Sequence, residues 1–104
     1  MRKIKWYGLL LFAGLFIVSC SKTGLSTNSL YVPLSSDATA TATFDELTQG
    51  RTLYINNCNS CHSLYSPDNF TASGWKTIMT SMGPRTGLSS AQLTLITKYL
   101  TRGK

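Results

Sequence analysis

Five consecutive residues carry the clearest chemistry in this chain of 104 residues: Cys58-Asn59-Ser60-Cys61-His62. A Cys-x-x-Cys-His sequence is the pattern of covalent haem attachment. Two thiols three residues apart can form thioethers with the two vinyl groups of one porphyrin, and the adjacent imidazole can then bind the iron. The sequence therefore predicts one covalent haem c, attached through Cys58 and Cys61 and ligated by His62.

Other uses of these residues fit the sequence less well. A disulfide redox module also uses Cys-x-x-Cys, but it is expected in a βαβ context, which is missing here. A structural zinc site needs four ligands, whereas Cys58, Cys61 and His62 supply three at most, and the chain has one histidine. A disulfide between the two cysteines would close a short, strained loop for little entropic gain.

The N-terminus is typical of an export signal. A basic head over residues 1–5 precedes an apolar run over residues 6–18, too short for a membrane-spanning helix of about 20 residues. The run ends in Ile17-Val18-Ser19-Cys20, which resembles the lipobox of bacterial lipoproteins. The resemblance implies that residues 1–19 are a cleaved signal peptide and that Cys20 is acylated. An ordinary signal peptide with a chance cysteine is the alternative.

The composition changes after the predicted lipid-bearing cysteine. Ten of the 23 residues from Ser21 to Thr43 are serine or threonine. Residues 20–43 are therefore predicted to be an acylated cysteine and a flexible tether that buries too little apolar surface to order itself. One apolar island, residues 30–34, could instead dock on the domain as an extended segment.

Helical signals begin where the tether is predicted to end. Thr43 and Glu46 have the spacing of a capping box, which predicts a first helix over residues 44–57. A second helix is predicted over residues 74–81, and a third starts at residue 89 or 90. A core of about 60 residues is marginal without a staple, and a large covalent cofactor would supply one.

A sixth iron ligand must come from a residue other than histidine. Methionine and histidine are the ligand pair of cytochromes c. Beyond the leader the chain offers only Met79 and Met82. Met82 is the favoured ligand, because it lies just before Gly83-Pro84, where the end of a helix can turn its sulfur inward. Met79, one turn earlier, is the second choice.

Residues from Phe44 to Leu100 resemble a small class I monohaem cytochrome c. The resemblance is carried by a helix with a glycine and an aromatic residue before the haem motif, then a methionine, and finally a closing helix with an aromatic-leucine pair. In this chain those residues are Gly50, Tyr54, Cys58, Cys61, His62, Met82, Tyr99 and Leu100. The implied fold is an all-α cytochrome c-like domain over residues 44–104, with at least three helices around the haem.

The resemblance also implies roles for three further residues. Gly50 would let the first and last helices cross closely. Pro67 would offer its carbonyl to the second ring nitrogen of His62 and so fix the imidazole. Trp75, seven residues before Met82, would donate to a haem propionate or simply pack in the core.

These features predict an electron carrier rather than an enzyme. With both axial positions filled by the protein, no substrate could reach the iron, and no base or nucleophile accompanies the haem. A five-coordinate haem sensor and a cytochrome subunit of a larger complex are the alternatives. From Cys20 onward the chain has seven basic and four acidic residues. This small positive net charge does not indicate that the protein binds nucleic acid. Redox proteins and a membrane of the bacterial envelope are the expected partners, on the periplasmic or outer side.

Overall fold

The structure, a computed structural model, describes residues 30–59 and 63–104. Three α-helices form the domain: α1 (Phe44–Asn57), α2 (Ala72–Met82) and α3 (Ser90–Thr101). A short 3₁₀ turn at Ser35–Asp37 precedes α1, and two others, at Pro67–Asn69 and Gly83–Arg85, lie between the helices; no strand occurs within the described residues. The predicted all-α, cytochrome c-like class is confirmed.

Side-chain caps define where the helices begin. The Thr43 hydroxyl accepts from the Glu46 backbone N–H and the Glu46 carboxylate accepts from the Thr43 N–H, so α1 starts with the predicted capping box. Ser89 and Gln92 form the same arrangement at α3. The second helix starts two residues earlier than predicted, because the Thr71 hydroxyl accepts from Gly74 N–H and caps it.

The helices α1 and α3 pack closely at Gly50. A methyl group at this position would lie 2.9 Å from the Cβ of Tyr99 and closer still to the carbonyl oxygen of Leu95. The prediction that Gly50 permits a close crossing of the first and last helices is confirmed. Two backbones can approach this closely only where one of them lacks a side chain.

The core lies mainly between these two helices. Its fully buried side chains come from both of them and include Leu47, Ile96, Tyr99 and Leu100. From α2, Trp75 alone is classed as buried, at 2% exposure. Each buried methylene contributes about 0.8 kcal/mol, so α1 and α3 provide most of the apolar stabilisation that the protein supplies itself.

Residues 30–43 pack against the helices and are called the N-terminal strap below. Leu30 is buried in the core, and the ring of Tyr31 stacks on Tyr99 with centroids 5.8 Å apart. Ala42 is also buried, and the Thr41 hydroxyl donates to the Gly103 carbonyl. A flexible tether was predicted for residues 20–43, but its C-terminal part belongs to the domain, as the docked alternative for residues 30–34 proposed. The reason is that Leu30 and Tyr31 find apolar partners on α3 that no local pattern reveals.

Residues 1–29 lie outside the described part of the chain. The predicted signal peptide over residues 1–19 and the acylation of Cys20 therefore stay predictions. Within residues 30–59 and 63–104 there is no helix with the length and apolarity needed to cross a bilayer.

Candidate functional site

The first cysteine of the haem motif sits at the end of α1. Cys58 is the C-cap residue, and its backbone N–H donates to the carbonyl of Tyr54 at 3.0 Å. Its thiol is free, half-buried and packed against the core. Burial raises the pKa of this thiol. Cys61 and His62 lie outside the described residues.

Tyr54 ties together the two flanks of the motif. Its carbonyl accepts from Cys58 N–H on one side. On the other side its hydroxyl donates to the Tyr65 carbonyl at 2.8 Å and accepts from the Tyr65 N–H at 3.1 Å. Burial raises the pKa of Tyr54, which keeps the hydroxyl protonated and able to do both. One residue of α1 therefore contacts both the first residue of the motif and the backbone three residues after it.

Sequence reasoning identified Tyr54 only as an aromatic residue on the helix face. Its role depends on a hydroxyl that meets backbone eleven residues away, and periodicity does not report such contacts. The signal that could have found it is chemical: a buried tyrosine needs a hydrogen-bond partner for its hydroxyl.

Pro67 and Trp75 are brought together directly. Trp75 is buried, and its indole Nε1–H donates to the carbonyl of Pro67 at 2.7 Å. The structure thus gives this N–H a protein partner, and the predicted donation from Trp75 to a haem propionate stays a prediction. The Pro67 carbonyl has a second lone pair, and its predicted acceptance from His62 stays a prediction.

Aromatic rings connect Trp75 to the segment that follows the motif. The ring of Trp75 meets Phe70 edge to face with centroids 5.0 Å apart, and Phe70 meets Tyr65 in the same way at 5.5 Å. Trp75 also contacts Tyr54 at 6.4 Å. Tyr65 and Phe70 are nevertheless 48% and 40% exposed. This segment therefore presents apolar aromatic surface that a flat apolar ligand could cover.

The two candidate methionine ligands have different surroundings. Met79 packs against the core and lines a cleft of about 600 Å³ between α2 and α3, beside Leu93 and Lys98. Met82, at the last position of α2, is 44% exposed. A methionine engaged in packing serves the core, whereas an uncovered thioether is available to a metal.

Several described groups could contact a covalent haem. They are the free thiol of Cys58, the exposed side chain of Met82 and the exposed rings of Tyr65 and Phe70. Among the described residues, no group of three or more His, Cys, Asp or Glu side chains could hold a metal ion. Lys76 and Arg85 are exposed and form no ion pair within the same residues.

Comparison with known protein families also points to a haem protein. Residues 54–103 match the model of the dihaem cytochrome c family. The match covers just under half of the chain and runs from Tyr54 through the whole haem motif, α2 and α3. No curated protein and no solved structure matches the chain.

The haem motif, the helical fold and the family match together support a c-type cytochrome with covalently bound haem c. In general terms they support haem-based electron transfer. The family's name refers to two haems, whereas this sequence contains one Cys-x-x-Cys-His motif.

Proposed function

We propose that this chain is a monohaem electron carrier anchored to a bacterial membrane by lipid on Cys20. The single Cys58–His62 motif within the matched region is the observation that carries the proposal. Three cysteines allow one lipid anchor and two thioethers, with none left for a second attachment site. When bound, haem supplies a one-electron couple between ferric and ferrous iron.

The protein's own residues would hold and tune that group. Cys58 and Cys61 would attach it, and His62 and Met82 would fill the two axial positions. The exposed side chain of Met82 and the packed position of Met79 support this order of preference. With two protein ligands no position is left for a substrate, which supports a carrier rather than an enzyme. Redox partner proteins would meet the domain on the periplasmic or outer side of the envelope.

The test starts from the full chain produced with haem-maturation machinery. A pyridine haemochrome assay and an intact mass are expected to show one covalent haem per chain. Two haems, or a pigment that acidified organic solvent extracts, would overturn the monohaem proposal.

The axial ligand is tested with a matched pair of variants. Met82→Ala is expected to abolish the sulfur-to-iron absorption band of the ferric protein, and Met79→Ala is expected to retain it. The opposite result assigns the ligand to Met79. Rapid binding of carbon monoxide to the unmodified, reduced protein would contradict both assignments and favour a five-coordinate sensor.

A further inference from the structure

The N-terminal strap presents an exposed apolar surface. Val32 and Leu34 are 56% and 62% exposed, the highest values among the large apolar side chains of the described residues. Pro33 between them is buried. Leu34 has extended backbone angles, φ −111° and ψ 158°, and alternate residues of an extended segment point to the same side. Val32 and Leu34 therefore share the outward side of the strap, and we call them the strap surface.

This surface is held in place by the contacts of its neighbours. Leu30 is 2% exposed within the core. The carbonyl of Tyr31 accepts from Arg51 Nε at 3.1 Å and from the Tyr99 hydroxyl at 2.7 Å. The guanidinium of Arg102 lies 4.2 Å above the Tyr31 ring. The exposure of the strap surface is thus a fixed property of the folded domain.

The length of chain before the strap limits how far this surface can be from a lipid anchor. Cys20 lies ten residues before Leu30. Ten residues span at most about 35 Å even when fully extended. Because Leu30 is fixed in the core, an acyl group on Cys20 would keep the strap surface within that distance of the bilayer. The chain also enters the domain beside this surface.

We infer that the strap surface docks on the lipid bilayer, an inference that rests on the proposed anchor at Cys20. Two branched apolar side chains suit the boundary between headgroups and acyl chains, where apolar burial stabilises binding. The Asp37 carboxylate, three residues beyond Leu34, is held within the strap by the Tyr31 hydroxyl at 2.5 Å and by the Leu34 N–H at 2.7 Å. The lipid tether and the strap surface together would fix the orientation of the domain.

Spin labels test this docking on the full chain, matured with haem and lipid and inserted into phosphatidylcholine vesicles. One label is placed at exposed Ser36 by Ser36→Cys, two residues beyond the strap surface. The control label is placed by Ser90→Cys at the start of α3. Twelve residues separate Ser90 from Arg102, about 18 Å along the helix axis. The reference in solution is the unlipidated chain from residue 20 with Cys20→Ser, exported behind an ordinary cleavable leader.

On vesicles, collisions of the Ser36→Cys label with a water-soluble nickel chelate are expected to fall by about threefold or more relative to the reference. The Ser90→Cys label is expected to stay within about 1.5-fold of its reference, since it lies far from the strap. Adding Val32→Ser and Leu34→Ser is expected to restore access to the Ser36→Cys label, while the protein still sediments with the vesicles.

Three results would overturn the inference. Equal access at both labels on vesicles, with the protein sedimenting, refutes docking while the anchor stands. Failure to sediment refutes the anchor itself, and docking with it, whereas haem content and spectrum report separately on the electron carrier. Shielding of the Ser36→Cys label in the Cys20→Ser chain, together with a doubled mass in solution, assigns the surface to a second copy of the chain.

Discussion

The two sides of the domain are stabilised in different ways. On the α1–α3 side, formed by α1, α3 and the strap, the side chains that meet are buried and Gly50 lets the backbones touch. On the α2 side, formed by α2 and residues 63–71, only a few side chains are buried, and Tyr65, Phe70 and Met82 are 40–48% exposed. Apart from Val32 and Leu34 of the strap and Phe44 at the start of α1, the α1–α3 side buries its large apolar side chains, whereas the α2 side leaves aromatic and thioether groups that a cofactor could cover.

The largest expected effect is unfolding at alkaline pH, caused by ionisation of tyrosines on the α1–α3 side. Burial raises the pKa of Tyr99 to about 12, and it raises the pKa values of Tyr31 and Tyr54 as well. A pKa above the unfolded value of about 10 stabilises the fold below pH 10, and that stabilisation is lost as pH rises toward 12. Helical circular dichroism and tyrosinate absorbance are expected to change together between about pH 10 and 12. Tyrosinate absorbance of Tyr31, Tyr54 and Tyr99 appearing without helix loss would contradict this.

Substitution at the helix crossing is the next largest effect. Gly50→Ala would place a methyl group against the backbone of Leu95, which cannot move without displacing α3. We expect a loss of about 3 kcal/mol in the free energy of unfolding, measured by urea titration. Gly74→Ala, in α2, is the matched control. Its methyl group would meet only Thr71 Oγ1 at 3.2 Å and Phe70 Cβ at 3.5 Å, and alanine favours helix, so we expect a change below about 1 kcal/mol.

If the two glycine substitutions lower the free energy of unfolding by the same amount, the distinction between the two sides would be wrong. The two variants are matched because each adds one methyl group within a helix. A change in the slope of the urea transition would point to an altered unfolded state instead.

On the α2 side, stability is expected to depend mainly on Trp75. Trp75→Phe removes the hydrogen bond from the indole N–H to the Pro67 carbonyl and reduces the volume of a buried side chain. We expect a loss of about 2 kcal/mol. The neighbouring Lys76→Ala changes an exposed side chain of the same helix and should stay within about 0.5 kcal/mol. Equal unfolding midpoints for the two variants would show that the indole is dispensable.

The smallest effect concerns the strap in acid. Hydrogen bonds from the Tyr31 hydroxyl and the Leu34 N–H lower the pKa of Asp37. A lowered pKa stabilises the fold above the unfolded value of about 4, and this contribution is lost as pH falls below it. The protection factors of the strap amides, which correct for the pH dependence of intrinsic exchange, should therefore fall below about pH 4 in the native chain. In Asp37→Asn these protection factors should already be lower at neutral pH and should show little further change in acid.

Much of the fold could be predicted because its signals are local. The capping boxes at Thr43 and Ser89 fixed the starts of α1 and α3, since both partners of each box lie within three residues. The haem motif is equally local. The Thr71 cap of α2 is also a local signal, since its partner Gly74 lies three residues away, and it predicts the observed start of that helix.

The contacts that could not be predicted join distant parts of the chain. The Tyr31 carbonyl meets the Tyr99 hydroxyl across 68 residues, and the Trp75 indole meets the Pro67 carbonyl across a turn of irregular backbone. The composition of residues 30–43 does not distinguish a flexible tether from a docked strap. The difference depends on the surface that α3 presents to these residues. The hydrogen-bond partner of the Trp75 indole could not be predicted either, because it depends on the path of residues 63–71.

The contacts of Tyr31 also set an order of events during folding. The strap precedes all three helices in sequence, yet its ring stacks on Tyr99 and lies beneath the Arg102 guanidinium, both at the end of α3. Contacts of such long sequence separation form late, because the intervening chain must be closed first. Before α3 forms, Arg51 of α1 can already donate to the Tyr31 carbonyl, but the Tyr31 ring lacks Tyr99, on which it stacks. The strap can therefore take its final position only when the last helix is in place.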